Sequence, residues 1–458
     1  MGSPSLTDTL ASYAAAARYE QLPTEAIDAA KLIVLDTIGA MLLGSLPAYS
    51  ASRLIGDYVR DLGGAPECTI VGRGFKADLV HAGLVNGVMG YAADTEGGGV
   101  ARQHAAAVLV PTALTVGERE HANGRMLITA LALGYDVAAR IDRASESGVH
   151  YSRSFHRSAV FGHFGAAATA GHMLTLSQKQ ISNALGLAGT VAGGLCVWLN
   201  AETEESRPFV IGMAAHRGML AAVLAKMGMA GPRGILDDGK FTIYDAFSGA
   251  MHLEEVTRDL GEVFWITRHT GFKNYSCCGG IHASLDALLK IVIDNDLRSE
   301  EILEIVDRVP PGDDDTPLLK SHLSEYILAV AAVRREITPD TILVDYRTAD
   351  PRVSDLFERI RLVGDSTTTA LGVSAIVEVR TQDGRTFKET VAYRLGDSRN
   401  PLSRAQLLQN FFDRATTRVS RTRAEQIYSL VMNLERLDDT ATLMQLLSVS
   451  EAYVERCL

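Results

Sequence analysis

The chain has 458 residues, of which 47% are hydrophobic and 22% charged, and its formal net charge is −11 at neutral pH. That length exceeds what one ordinary hydrophobic core serves, so two domains are expected. The acidic balance, without a long basic run, argues against nucleic acid or a membrane surface as partner, yet permits a small anion in a locally basic site.

Residues 5 to about 265 read as nearly all helix. Ser5 with Asp8 forms an N-cap with an acidic first turn, and Ile27, Leu32, Leu35 and Ile38 recur at helical spacing. The short Cys68–Gly72 segment reads as a strand on the rim. Gly162–Gly171 and Ala184–Gly194 are dense in small residues, which let helices approach closely, and Ser177 with Gln180 is a capping-box pattern. The longest apolar run, Ala184–Leu199, falls short of a membrane span and reads as a buried helix.

The character changes after Phe272. Ile281–Ile293 reads as an amphipathic helix and Pro310–Asp315 as a turn or exposed loop. Ser374–Val379 and Lys388–Arg394 alternate apolar and polar residues around the hairpin signal Gln382-Asp383-Gly384-Arg385, and this is the one β region evident. Ser403, with Gln406, restarts helix, and 403–458 is expected to rejoin the first domain. The expected architecture is mainly α, with a helical domain of 1–267 plus 396–458 and an α/β domain of 268–395.

Cys68, Cys196, Cys277, Cys278 and Cys457 are odd in number and widely spaced, and the adjacent Cys277-Cys278 suits neither a structural disulfide nor a C-x-x-C metal motif. A cytoplasmic location is expected on this ground, together with an N-terminus lacking the basic and apolar regions of a secretory signal.

Four clusters join a histidine or cation to glycine and apolar residues: Tyr91–His104, Phe155–Gly165, Ser206–Gly218 and Phe272–His282. Three consecutive glycines, Gly97-Gly98-Gly99, serve a loop that folds closely around a ligand rather than a helix or strand. Neutral histidine accepts a proton near pH 7, and Arg and Lys hold carboxylates. Such groups together suit proton abstraction beside a carboxylate.

These clusters resemble the MmgE/PrpD family, and the resemblance runs through nearly the whole chain in order. Asp94-Thr95 matches the end of the family's D-x-D-D-T, and His104 begins the family's histidine-led helix. His156-Arg157-Ser158 with Gly162–Ala167, Arg207-Pro208 with Ala214–Gly218, Phe272–His282 and Asn400–Ser403 match four further segments. The family includes 2-methylcitrate dehydratase, cis-aconitate decarboxylase and iminodisuccinate epimerase. The resemblance implies a large helical domain built from both chain ends, an inserted smaller α/β lid domain, an active site between them, a homodimer, and no metal or other cofactor. It implies a cofactor-independent lyase of dehydratase type, which takes a proton alpha to a carboxylate of a small carboxylic acid. An epimerase, an isomerase, a decarboxylase or a non-catalytic descendant are the alternatives.

By the same resemblance His104 is the general acid/base, Asp94, Thr95 and Lys273 share the catalytic site, and Arg207, His156, Tyr91 and His282 line the substrate. The family's first and second aspartates are replaced here by Tyr91 and Ala93, and its Pro and Ser after the histidine by Ala105 and Ala106. The pocket is therefore expected to serve another substrate or another step. Tyr91 is read either as a phenolic acid/base or as a wall, and His163, His172 and His216 as packed helix histidines. Glu202, Glu204 and Glu205 read as a solvated loop.

Overall fold

The computed structural model describes residues 5–100, 103–145, 154–200, 205–248, 250–268, 271–310, 323–339, 341, 349–368 and 374–449. It is mainly helical and divides into two units, residues 1–270 with 410–458, and 271–409.

In the first unit α1 (Leu6–Ala16) starts where capping places it, with the Ser5 hydroxyl accepting the Asp8 N–H at 3.1 Å. Then follow α2 (Thr24–Gly44), α3 (Ser50–Leu62), α4 (Leu79–Ala92), α5 (Ala105–Arg119) and α6 (Gly124–Arg143). After these come α7 (Arg157–Met173), α8 (Gln178–Thr190) and α9 (Ser206–Lys226). The Ser177–Gln180 capping box forms at the start of α8. The expected Cys68–Gly72 strand is shorter: β1 (Cys68–Thr69) pairs antiparallel with β2 (Lys76–Ala77).

Helix α9 is the centre of this unit and packs on α7, α4 and α8. It is long and apolar enough to cross a membrane by composition, but it lies among these neighbours. Its small residues set the spacing. A side chain at Gly212 would put a Cβ 2.6 Å from the Leu84 carbonyl oxygen of α4, so only glycine allows this approach.

Two helical expectations are corrected. The apolar run Ala184–Leu199 is not one buried helix, because α8 stops at Thr190 and Gly193 and Gly194 take φ of +147° and +157°. Val191, Leu195 and Val197 are exposed there. Between Met227 and Arg268 the chain makes turns and short helical pieces, Ile243–Phe247 and Glu254–Thr257, instead of continuous helix. That stretch is glycine-rich, and the buried Arg140 of α6 pins it by donating to the backbone carbonyls of Arg258, Asp259 and Val263.

From Asn410, within the next helix, the chain returns to this unit. Ser403 caps α13 (Arg404–Ala415) as expected, and α14 (Arg421–Met432) and α15 (Thr440–Leu447) follow. Thr440 donates to the Ala122 carbonyl at 2.7 Å, the Gly72 N–H to Leu447 at 2.8 Å and the Gly124 N–H to Leu437 at 2.8 Å. These bonds, one from the Thr440 hydroxyl and two from main-chain N–H groups, fasten the tail near β1, α5 and α6.

The second unit carries a four-stranded sheet in the order β4-β3-β5-β6, from β3 (Ile302–Val309), β4 (Ile360–Gly364), β5 (Ala375–Thr381) and β6 (Thr386–Val391). β5 and β6 form the expected hairpin, with Gly384 at φ +90°. β3 and β4, which pair in parallel, were not read from the sequence. Helix α10 (His282–Asp294) covers β5 and β6, and Leu285, Leu288, Val292, Ile305, Val377 and Val379 form the core between them; α11 (Leu323–Arg334) and α12 (Pro351–Phe357) belong to the same unit. The Pro310–Asp315 turn lies, beyond Pro310, outside the described residues.

Candidate active site

The loop between α4 and α5 is drawn inward rather than left in solvent. Asp78 caps α4 through the His81 N–H, and at its other end Asp94 takes φ +49° and turns the chain sharply. Asp94, Thr95 and Glu96 are all buried. The Gly97 N–H then donates to the Asp36 carboxylate of α2 at 2.6 Å, and Arg414 of α13 meets the same carboxylate at 2.8 Å. Gly98 sits at φ +68° against Ile33, and its carbonyl accepts the Tyr135 hydroxyl at 2.7 Å. The Gln103 amide donates to Asp142 at 3.0 Å and to the Ala138 carbonyl at 3.1 Å, and Arg157 ion-pairs with the same Asp142. Three helices and the returning tail therefore hold this segment from outside it.

That path sets the geometry of His104. Its N–H donates to the Ser158 hydroxyl at 2.8 Å, and its Nδ1 lies 2.6 Å from Glu96 Oε1. The Glu96 side chain is fully buried and the His104 side chain is 30% exposed, so the imidazole is the accessible end of the pair. Its Nε2 lies 3.1 Å from the Tyr91 hydroxyl at the end of α4. An ionised carboxylate only accepts, so Nδ1 carries the proton and Nε2 the lone pair.

Around this line stand other predicted residues. The His156 ring stacks near His104 at 5.9 Å, and Trp198 lies 5.3 Å from His156. Burial, with smaller contributions from His104 and Arg207, pushes His156 down to about 3, so it is neutral at pH 7. Its Nδ1 makes no hydrogen bond among the described residues, and neither does the buried Thr95 hydroxyl. Arg207 donates to Asp94 at 2.9 Å while its guanidinium carbon sits 5.2 Å from the Tyr91 ring centroid. Asp94 thus lies past the end of α4 and faces Arg207.

The structure brings together Tyr91, Asp94, Thr95, His104, His156 and Arg207. Lys273 and His282 belong to the second unit, where both are buried and His282 Nε2 lies 3.2 Å from the Cys277 carbonyl oxygen. Their roles toward a substrate rest on the resemblance. His163 is fully buried in α7, as expected of a packed helix histidine, and His172 bonds the Ala14 carbonyl at 2.9 Å. Of the acidic loop, Glu205 is exposed and accepts from Ser50, while 201–204 lie outside the described residues.

Glu96 is the residue that sequence reasoning missed. The family pattern drew attention to carboxylates lost at 91 and 93 and away from one gained at 96. A lone acid among glycines and apolar residues, eight positions before a histidine, was the available signal. Asp94, Glu96 and His104 also present ligand atoms within 4.8 Å of one another, the arrangement that could hold a metal ion. Here Asp94 faces Arg207 and Glu96 faces His104, so an ion would compete with both contacts.

The family model of the MmgE/PrpD N-terminal domain matches residues 8–255, and that of the MmgE/PrpD C-terminal domain matches 275–436. The chain is 26% identical to the cis-aconitate decarboxylase-like protein oryM of Aspergillus oryzae, over 97% of both chains. It is 25% identical to the cis-aconitate decarboxylase of Mus musculus, over 97% of this chain and 93% of that one. It is also 25% identical to the Homo sapiens cis-aconitate decarboxylase, over 97% and 94%.

Proposed function

The chain belongs to the MmgE/PrpD family, and from that membership we propose that it is a lyase of small polycarboxylic acids that moves a proton at a carbon beside a carboxylate. The observation that carries this reading is the 2.6 Å contact between the buried Glu96 and His104. A histidine oriented by a buried carboxylate is an acid/base of fixed tautomer, worth about 10²- to 10⁴-fold in rate. As the proton leaves, negative charge spreads onto the neighbouring carboxylate. Arg207 of α9, held by Asp94, is the cation beside this loop that meets it. Thr95 and the neutral His156 supply uncharged hydrogen-bonding groups to the same ligand.

Loss of a hydroxyl from the next carbon completes a dehydration. Decarboxylation is the second reading, favoured by the cis-aconitate decarboxylases that match along nearly the whole chain. It passes through a similar carbanion-like species, formed as the C–C bond to carbon dioxide breaks, and the site then gives that species a proton.

Citrate, 2-methylcitrate and cis-aconitate, each incubated in deuterated water, test both readings. Deuterium at a carbon beside a carboxylate is the expected result, with alkene formation marking dehydration and carbon dioxide marking decarboxylation. His104→Ala is expected to remove it while circular dichroism stays unchanged. Absence of exchange with every polycarboxylate, or full activity in His104→Ala, refutes the proposal.

A further inference from the structure

We propose that Tyr91 is a catalytic residue: its phenolic oxygen exchanges the proton with the substrate carbon, His104 relays that proton, and Glu96 is the positioning residue behind them. The inference rests on the proton chemistry proposed for this loop and names the atom that performs it.

Both imidazole nitrogens of His104 are engaged, Nδ1 by Glu96 at 2.6 Å and Nε2 by the Tyr91 hydroxyl at 3.1 Å. With the proton on Nδ1, the basic lone pair points at the phenol and not at open space. A substrate proton reaches Nε2 through the phenolic oxygen unless Tyr91 is first displaced. Displacement is opposed by the setting of the ring. Tyr91 is 97% buried, being 3% exposed, at the end of α4. Its ring centroid lies 4.5 Å from that of His104, and the Arg207 guanidinium, itself tied to Asp94, covers it.

The step balances without another reactant. The substrate C–H bond breaks and its electron pair stays on carbon, delocalised into the adjacent carboxylate. That proton bonds to the Tyr91 oxygen as the phenolic proton passes to His104 Nε2. The phenol is regenerated, and the charge rests as an imidazolium against the Glu96 carboxylate, a strong charge-assisted contact. Protonation of a carbanion runs the same path backwards, so one relay serves dehydration and decarboxylation alike. Arg207 sits over the ring that carries negative charge in mid-transfer.

The test uses the intact protein, its Tyr91→Phe and Glu96→Gln variants, and cis-aconitate and citrate as probes. Tyr91→Phe removes one oxygen and keeps the ring, and is expected to lower kcat about 10²- to 10⁴-fold with KM changed only a few-fold. Glu96→Gln can donate to Nδ1, which puts the proton on Nε2 and turns the phenol from donor to acceptor. A similar loss and a displaced pH–rate profile are expected. A Tyr91→Phe rate within tenfold of wild type, or an unmoved profile in Glu96→Gln, overturns the proposal.

A substrate-free readout separates the two levels of failure. In the ¹⁵N spectrum of histidine-labelled protein, the Nε2 resonance of His104 is expected to report an acceptor nitrogen and to move in Tyr91→Phe. If wild type acts on no probe, the proposed function fails. The spectrum tests the relay separately: a resonance unmoved in Tyr91→Phe refutes it even where the probes react, because the hydrogen bond it needs is then missing.

Discussion

The contact between Asp36 and Arg414 joins residues 378 positions apart beneath the candidate site, and its removal is the most informative stability experiment. Their side chains are 5% and 3% exposed and meet at 2.8 Å. At an effective dielectric near 20, two charges about 4 Å apart attract by about 4 kcal/mol. Burial pushes the Asp36 carboxyl up, while Arg414 and the Gly97 N–H pull it back down. Asp36→Asn keeps the shape and an acceptor for Gly97 but removes the charge facing the buried guanidinium, at a cost of about 3–5 kcal/mol. Arg414→Met strands the carboxylate at similar cost, and that cost shrinks in acid because Asp36 then takes up a proton. The double variant leaves no orphaned charge and is expected to be more stable than either single one. Both tryptophans, Trp198 and Trp265, lie in the first unit, so their fluorescence during urea unfolding reports on the pair. Single variants within 1 kcal/mol of wild type, or a double variant whose loss equals the sum, refute the reasoning.

Two further outcomes follow from the same physics. His156 and His163 are both pushed down to about 3, mainly by burial. The unfolded chain therefore binds their protons first, and stability present above about pH 6.5 is lost as pH falls toward 3, by about 2 kcal/mol per histidine at pH 5. Asp136, raised by burial to about 6, acts in the opposite sense and offsets about 1 kcal/mol. His163→Asn is expected to gain about 2 kcal/mol relative to wild type between pH 7 and pH 5, and parallel stability curves rule this out. Gly212→Ala places a Cβ 2.6 Å from the Leu84 carbonyl oxygen and 2.5 Å from Val88 Cγ2, at a helix crossing where backbone must move. A loss of about 1–3 kcal/mol is expected, seen as a lower Tm, and an unchanged Tm counts against rigid packing there.

What the sequence disclosed follows the range of each interaction. Caps at Ser5, Ser177 and Ser403 were legible because each lies within four residues of the N–H it serves. The β5–β6 hairpin was legible because its turn is local. Strands β3 and β4 pair in parallel across some fifty residues, and no short-range signal announces that partnership. The run Ala184–Leu199 misled because apolar composition was equated with burial, whereas two glycines in left-sided conformations end the helix. In the site, the resemblance pointed at His104, Asp94 and Arg207, which the fold gathers in one unit. Glu96 acquires its meaning only from the inward path of the loop, and that path is set by Asp36, Tyr135 and Asp142 on other helices.

Arg414 also ties the anchoring of the loop to the order of synthesis. The loop bearing Glu96 and His104 is made in the first quarter of the chain, but the charge that completes its anchor leaves the ribosome only near the end. A nascent chain halted before α13 holds every proposed reacting group and lacks the clamp that sets their geometry. Such distant closure raises contact order and slows folding.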